Sequence, residues 1–283
     1  MSPIVHHKAA WMLLERYNLE LTGFGIAMLL AFLIAQTVCQ AELIRRRQTS
    51  AAAVMPDVTI GAVLGGLLGA KIYYTILTGE SFFHRSGFVF WGGLIGGILV
   101  TFVVIHRKKI PFTRISDVAG IGIAAAYAVG RTGCWAVGDD YGRPWSGRFA
   151  VSFPEGAPPS TVGNLMSQFG VKGLEGRPLG EVLSVYPTQI FEVTMGLVMF
   201  AILWRLRDHK HAEGWLFGLY CVLAGTERFI IEFFRAKDDR FFGSFSVAQV
   251  IAIAFVLVGV AWMRYRNDVR SGAPGIYAAS VNV

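Results

Sequence analysis

Six charged residues interrupt otherwise apolar stretches of this 283-residue chain: Lys71, Arg131, Glu192, Glu227, Arg228 and Glu232. A charge inside lipid is costly and normally faces a partner or a wet cavity, so these six are the first candidates for function. Three are cations and three are anions, a balance that predicts they face one another. In ERFIIEFFR (227–235) Arg228, Glu232 and Arg235 fall at i, i+4 and i+7 and form a charged stripe on one helix face. In GRTGCWAVGDDYGRP (130–144) Arg131 precedes two adjacent carboxylates, Asp139 and Asp140, with glycines between them and Arg143 after. Non-helical backbone at membrane depth is tolerated only where it lines a cavity. Arginine stays charged and grips phosphate with two parallel hydrogen bonds. Two readings follow: a polar cavity for a charged head group, or a buried ion-pair network that only fixes helix packing.

Cys134 lies one helical turn after Arg131, and as a buried thiol it reads first as a small apolar side chain. The three cysteines, Cys39, Cys134 and Cys221, are an odd number in apolar stretches and show no zinc spacing or disulfide framework. The histidines lie in loops or near helix ends, and no metal site is expected.

The elements that must position these residues are helices in a membrane. The chain is 54% apolar and 16% charged, with a mean hydropathy of +0.50; soluble domains carry about 25% charged residues. Leu21–Ala41, Ser86–Ile105 and Phe241–Met263 contain no Asp, Glu, Lys or Arg. Each is long enough to cross about 30 Å of hydrocarbon. Four more apolar stretches, 57–79, 117–138, 187–204 and 214–235, carry the isolated charges. This excludes a soluble enzyme, a disordered chain and a secreted disulfide scaffold. It predicts an all-α integral membrane protein of about seven transmembrane helices.

The expected parts are an interfacial segment (1–20), helices 1–4 (21–138), a head loop (139–186), helices 5–7 (187–264) and a tail (265–283). With the N-terminus outside, thirteen Lys and Arg fall in cytoplasmic segments against six in short outer ones, which predicts N-out, C-in and a small cap on the outer face. The net charge of +7 is then a matter of topology and not of nucleic-acid binding. Glycines at every fourth residue, Gly61/Gly65/Gly69 and Gly92/Gly96, predict close helix packing. No internal repeat of the transporter kind is visible, and the last apolar stretch has no lysine for a photoreceptor Schiff base.

The order GGLIGG (92–97), SD (116–117), GRTGCWAVGDDYGR (130–143), YPTQIFE (186–192) and ERFIIEFFR (227–235) resembles the prolipoprotein diacylglyceryl transferase family. The resemblance spans roughly residues 20–265. It implies a bacterial inner-membrane enzyme without a cofactor. Such an enzyme moves the diacylglyceryl group of phosphatidylglycerol to the lipobox cysteine of prolipoproteins and releases glycerol phosphate. It implies catalytic roles for Arg131, Asp139, Arg228 and Glu232. It implies phosphatidylglycerol contacts from Arg131, Gly142, Arg143, Gln189, Glu192, Arg228, Arg235 and Lys71. Asp139 stands where the family has glutamate, and Lys71 where it usually has arginine.

Five further positions depart from the family pattern. Trp91 replaces the histidine before GGLIG, Cys134 and Val137 replace two signature asparagines, Thr22 replaces a tyrosine and Tyr186 replaces a histidine. The reaction needs a thiolate nucleophile and a stabilised leaving phosphate. With no histidine at the expected place, Asp139, Glu192 and Glu232 are all candidate bases. Two alternatives stand beside this reading: a relative with another acceptor, and a phospholipid-binding membrane protein without catalysis.

Overall fold

The computed structural model describes residues 7–8, 20–83, 87–236, 240–242 and 245–267. Its long helices are α1 (Gly23–Arg45), α2 (Thr49–Thr78), α3 (Phe90–Arg107), α4 (Phe112–Val137), α6 (Thr188–Arg205), α7 (Trp215–Ile231) and α8 (Val247–Tyr265), with a short α5 (Val162–Ser167) between α4 and α6. Among the described residues six helices are long and apolar enough to cross a membrane: α1, α2, α3, α4, α6 and α8. The remaining long helix, α7, has 17 residues, a length of about 26 Å. The chain is therefore a multi-pass, all-α membrane protein. The N-terminal segment and the tail lie largely outside the described residues, as do Arg85 and Lys237. His7–Lys8 pairs antiparallel with Glu20–Leu21.

Local chemistry sets the helix ends. The Thr22 hydroxyl accepts the Gly25 N–H at 3.0 Å and caps α1. Ser246 and Gln249 form a reciprocal capping box at the start of α8. Helix α2 starts eight residues earlier than the charge pattern predicts, and Pro56 lies inside it. Burial offsets the hydrogen bond that Pro56 cannot donate: Ala51, Ala52, Val54 and Met55 pack into a core with Leu43, Ile105, Ile115 and Val118.

The helices pair as α1 with α4, α2 with α3 and α7 with α8, and α4 also packs on α6 and α7. Helix α4 is the most enclosed, with 56% of its most apolar stretch buried against 11% for α3. Glycines fix these pairs. A Cβ at Gly65 would sit 2.6 Å from the Gly96 carbonyl oxygen, and one at Gly69 would overlap the Gly92 carbonyl. Gly225 meets the Ala252 carbonyl oxygen in the same way at 2.6 Å. Lipid offers no hydrophobic drive between helices, so this backbone proximity carries the association.

Residues 139–186 fold over one end of the bundle around their own small core. Tyr141, Phe153, Val162, Leu165, Leu183 and Val185 are buried together there. Val151–Ser152 pairs antiparallel with Ser184–Val185, and the Tyr141 hydroxyl shares its one proton between the Pro158 and Pro159 carbonyl oxygens at 3.0 and 2.9 Å.

Candidate active site

Helix α4 stops at Gly138, whose left-handed backbone (φ 68°) caps the last turn. The chain then turns back through Asp139 and Asp140, the latter also at positive φ (55°). That turn brings the Asp140 carboxylate over Arg131, nine residues earlier. Arg131 binds Asp140 Oδ2 at 2.8 Å through Nη1 and Glu192 Oε1 at 2.9 Å through Nη2. Arg235, from the segment after α7, takes the other oxygen of Asp140 at 2.9 Å and lies 4.0 Å from Glu192. The stripe on α7 closes the arrangement: Arg228 pairs with Glu232 at 2.6 Å, and Glu232 lies 3.7 Å from Arg235. Four elements thus deliver one charge cluster at the cap end of the bundle.

Backbone contacts lock the surrounding turns. Gln189 donates to the Asp139 carbonyl at 2.6 Å and Thr188 to the Asp140 carbonyl at 2.7 Å. Gly142 N–H donates to the Tyr186 carbonyl at 2.9 Å, and Arg143 N–H to the Phe234 carbonyl at 2.9 Å. Gly142 has no room for a side chain, since a Cβ would sit 2.6 Å from Tyr186 Cβ and would overlap the Phe234 carbonyl oxygen. The Arg143 guanidinium donates through Nε to the Arg235 carbonyl at 2.9 Å. It also lines a cavity of about 350 Å³ with Pro144, Val171, Lys172, Leu174 and Ala236.

The two adjacent aspartates have different environments. Burial raises the Asp139 carboxyl to about 6, with a further push from the neighbouring Asp140 charge. Burial acts on Asp140 in the same sense, but Arg235 and Arg131 outweigh it and hold that carboxyl below its ordinary range. Asp140 therefore occupies the arginines, while Asp139 has the Cys134 thiol as its side-chain partner. One oxygen of Asp139 has no hydrogen-bond partner, and neither does Glu192 Oε2. Cys134, Asp139 and Asp140 could in principle offer ligand atoms to a metal, all within 4.8 Å of one another. Both oxygens of Asp140 are nevertheless engaged by guanidiniums, and two adjacent cations suit an anion better than a metal ion.

Of the residues predicted from sequence, Arg131, Glu192, Arg228, Glu232 and Arg235 meet in this cluster, and Asp139, Gly142, Arg143 and Gln189 frame it. Lys71 stands on the α2–α3 pair, its ammonium 5.3 and 5.5 Å from the ring centres of Tyr74 and Phe88. The departures from the family pattern also have structural places. Trp91 is half exposed (48%) on α3. Cys134 Sγ lies 3.6 Å from Arg131 Nη1, Val137 is buried, and the Tyr186 ring stacks on Trp145 at 4.4 Å. Thr22 caps α1, as above.

Sequence reasoning missed two features. From the sequence Asp140 reads only as a neighbour of Asp139, yet it joins both arginines; its place just past a helix-ending glycine is the signal that points to it. The second is a network at the far end of the bundle. There Asp117 accepts the Phe217 N–H at 3.2 Å and lies 3.5 Å from His209 Nε2 and 3.9 Å from Arg46. Arg46 binds Glu42 at 2.8 Å, and Arg114 binds Glu213 at 3.1 Å. Fourteen residues of α4 separate Asp117 from Arg131, about 21 Å.

The family model described as prolipoprotein diacylglyceryl transferase matches residues 12–265. A phosphatidylglycerol–prolipoprotein diacylglyceryl transferase of Treponema denticola is 28% identical over 251 residues, covering 77% of this chain and 73% of the relative. That of Bordetella parapertussis is 31% identical over 211 residues, 71% of each chain. That of Geobacter sulfurreducens is 27% identical over 257 residues, covering 86% of this chain and 90% of the relative. With the match running from before α1 to the end of α8, the chain belongs to the prolipoprotein diacylglyceryl transferase family.

Proposed function

We propose that this protein transfers the diacylglyceryl group of phosphatidylglycerol to the lipobox cysteine thiol of prolipoproteins and releases glycerol phosphate. We place it in the bacterial cytoplasmic membrane, N-out and C-in, with residues 139–186 as a head on the outer face. The observation that carries the reading is the pairing of Arg131 and Arg235 on Asp140 beside Arg228, whose side chain keeps 32% of its surface exposed. Three guanidiniums gathered at one end of a bundle, where the cap meets the helices, form a phosphate site.

In the reaction the acceptor sulfur attacks the glyceryl carbon that bears the phosphate ester. The S–C bond forms, the C–O bond breaks, and the electron pair leaves with glycerol phosphate. Arg131, Arg228 and Arg235 stabilise the charge that develops on the leaving phosphate. Asp140 holds two of these guanidiniums in place, and the lipid phosphate takes its position. Asp139 takes the thiol proton: its carboxyl is matched to a neutral medium, and Asp140 leaves it free of a direct arginine pair. Gln189 fixes the Asp139 backbone, and Glu192 and Glu232 keep the arginines oriented. Lys71, Gly142 and Arg143 complete the lipid-binding set.

The test is release of glycerol phosphate from phosphatidylglycerol vesicles by the purified chain, with and without a lipobox peptide. Peptide-dependent release, with a diacylglyceryl mass gain on the peptide cysteine, is expected. No release under conditions where the Geobacter relative turns over sinks the proposal.

A further inference from the structure

Tyr127 and Glu227 have no part in the reaction above, yet they lie directly beneath its arginine. Tyr127 is one turn before Arg131 on α4, and the Arg131 guanidinium carbon is 5.3 Å from the tyrosine ring centre. The Tyr127 hydroxyl lies 3.2 Å from Glu192 Oε1 on α6 and 2.9 Å from Glu227 Oε1 on α7. Both glutamates are buried, Glu192 at 0% exposure and Glu227 at 7%. The space for the ring is made by Gly196, where a Cβ would sit 3.1 Å from Tyr127 Cδ1.

Proton counting gives this contact its meaning. A phenol has one proton to donate, and an ionised carboxylate can only accept. Two full hydrogen bonds between one hydroxyl oxygen and two carboxyl groups therefore need a second proton within the trio, whereas a single proton would be split between them. Glu192 has Arg131 at 2.9 Å and Arg235 at 4.0 Å. Among the described ion pairs Glu227 has none. The second proton belongs on the carboxyl without an ion-pair partner among the described residues: Glu227 donates to the Tyr127 oxygen, and Tyr127 donates to the Glu192 carboxylate.

We propose that Tyr127 and Glu227 are positioning residues, and that the chain Glu227–Tyr127–Glu192 holds Glu192 as the anion that aims Arg131 at the lipid phosphate. The aim at phosphate rests on the function proposed above, whereas the shared proton does not. Neither Tyr127 nor Glu227 touches the reacting atoms in this scheme. They act through Glu192 on Arg131.

Infrared difference spectroscopy on the full chain in nanodiscs at neutral pH tests the proton directly. A carboxylic-acid carbonyl band is expected in the parent and is lost in Glu227→Gln. Kinetics with phosphatidylglycerol vesicles test the positioning. Tyr127→Phe and Glu227→Leu each lower kcat/KM about tenfold, mostly through KM, as expected for the loss of one buried hydrogen bond near a charge. Glu227→Gln, which still has a donor for the Tyr127 oxygen, recovers most of what Glu227→Leu loses. No band in the parent means one proton shared between two ionised carboxylates, and this overturns the proposal; so does a Gln variant as impaired as the Leu variant. The band is read without turnover, so a chain that shows it but transfers nothing defeats the functional reading alone.

Discussion

Arg131 and Arg235, 104 positions apart in the chain, grip opposite oxygens of a single carboxylate, Asp140, at 2.8 and 2.9 Å. One arginine is on a central helix and the other follows the last turn of α7, so the shared aspartate sets the distance between two cations. A phosphate group offers the same pair of acceptors with a third oxygen to spare. Replacing Arg131 by lysine keeps the charge but removes the fork that reaches Asp140 and Glu192 together. Arg131→Lys is expected to lower transfer at least a hundredfold and to reduce phosphatidylglycerol retained through purification, measured by lipid mass spectrometry.

As the proposed base, Asp139 would give the reaction a pH signature. Its carboxyl is raised to about 6 by burial and by Asp140, so the proton-accepting form dominates above that pH and is lost below it. The rate should climb through pH 6 and level off above 7. Asp139→Asn is expected to flatten this limb and to cost about a hundredfold or more in kcat, the usual loss with a general base. A pH–rate profile of both proteins checks this, and an unchanged acid limb in Asp139→Asn would assign the base elsewhere.

Helix α2 meets α3 through glycine backbones. At Gly69 a methyl group would overlap the Gly92 carbonyl, and neither backbone can yield without separating the pair. Gly69→Ala should therefore destabilise the protein by about 2 kcal/mol, within the range for overpacking a tight contact. A lower Tm in detergent measures it. A Gly66→Ala control, where the nearest atom would be 3.7 Å away, should leave Tm nearly unchanged.

The far-end network predicts a stability effect without a chemical one. Asp117 is fully buried and joins α4 to the first turn of α7 and to Arg46. Asp117→Leu leaves the Phe217 N–H without its acceptor, while Arg46 keeps Glu42, a loss of about 2 kcal/mol. Turnover per folded molecule should match the parent, because this site lies about 21 Å along α4 from Arg131. Thermal unfolding together with activity normalised to folded protein separates the two effects.

The helices were legible in the sequence because lipid demands long uncharged runs, and the paired charges were legible because lipid makes each of them conspicuous. Arg131, Glu192 and the 228/232/235 stripe come from that rule alone. What the rule cannot see is polarity without charge. Tyr127 reads as one more aromatic in an apolar helix, although its hydroxyl joins two carboxyls. Nor does it see charges at the ends of the runs: Glu42 falls just outside Leu21–Ala41 and Asp117 is the first residue of 117–138, although both are buried in the bundle. Helix α2 starts before the stretch 57–79 because Ala51 and Ala52, which precede Pro56, belong to the core. Asp140 was legible only as a neighbour of Asp139, because its role comes from the Gly138 turn and from Arg235, and the fold alone brings these together.

At Gly142 the chain crosses Tyr186 and the Phe234 carbonyl with no room for a side chain. The two roots of the cap are laced to each other through Gly142, Arg143 and Tyr186, and to the end of α7 through the Phe234 and Arg235 carbonyls. A cover sewn down along that seam cannot lift like a flap without tearing several backbone hydrogen bonds. The cap is therefore a fixed roof over the arginine cluster, and under the proposed function a lipid head group has to reach those arginines from between the helices.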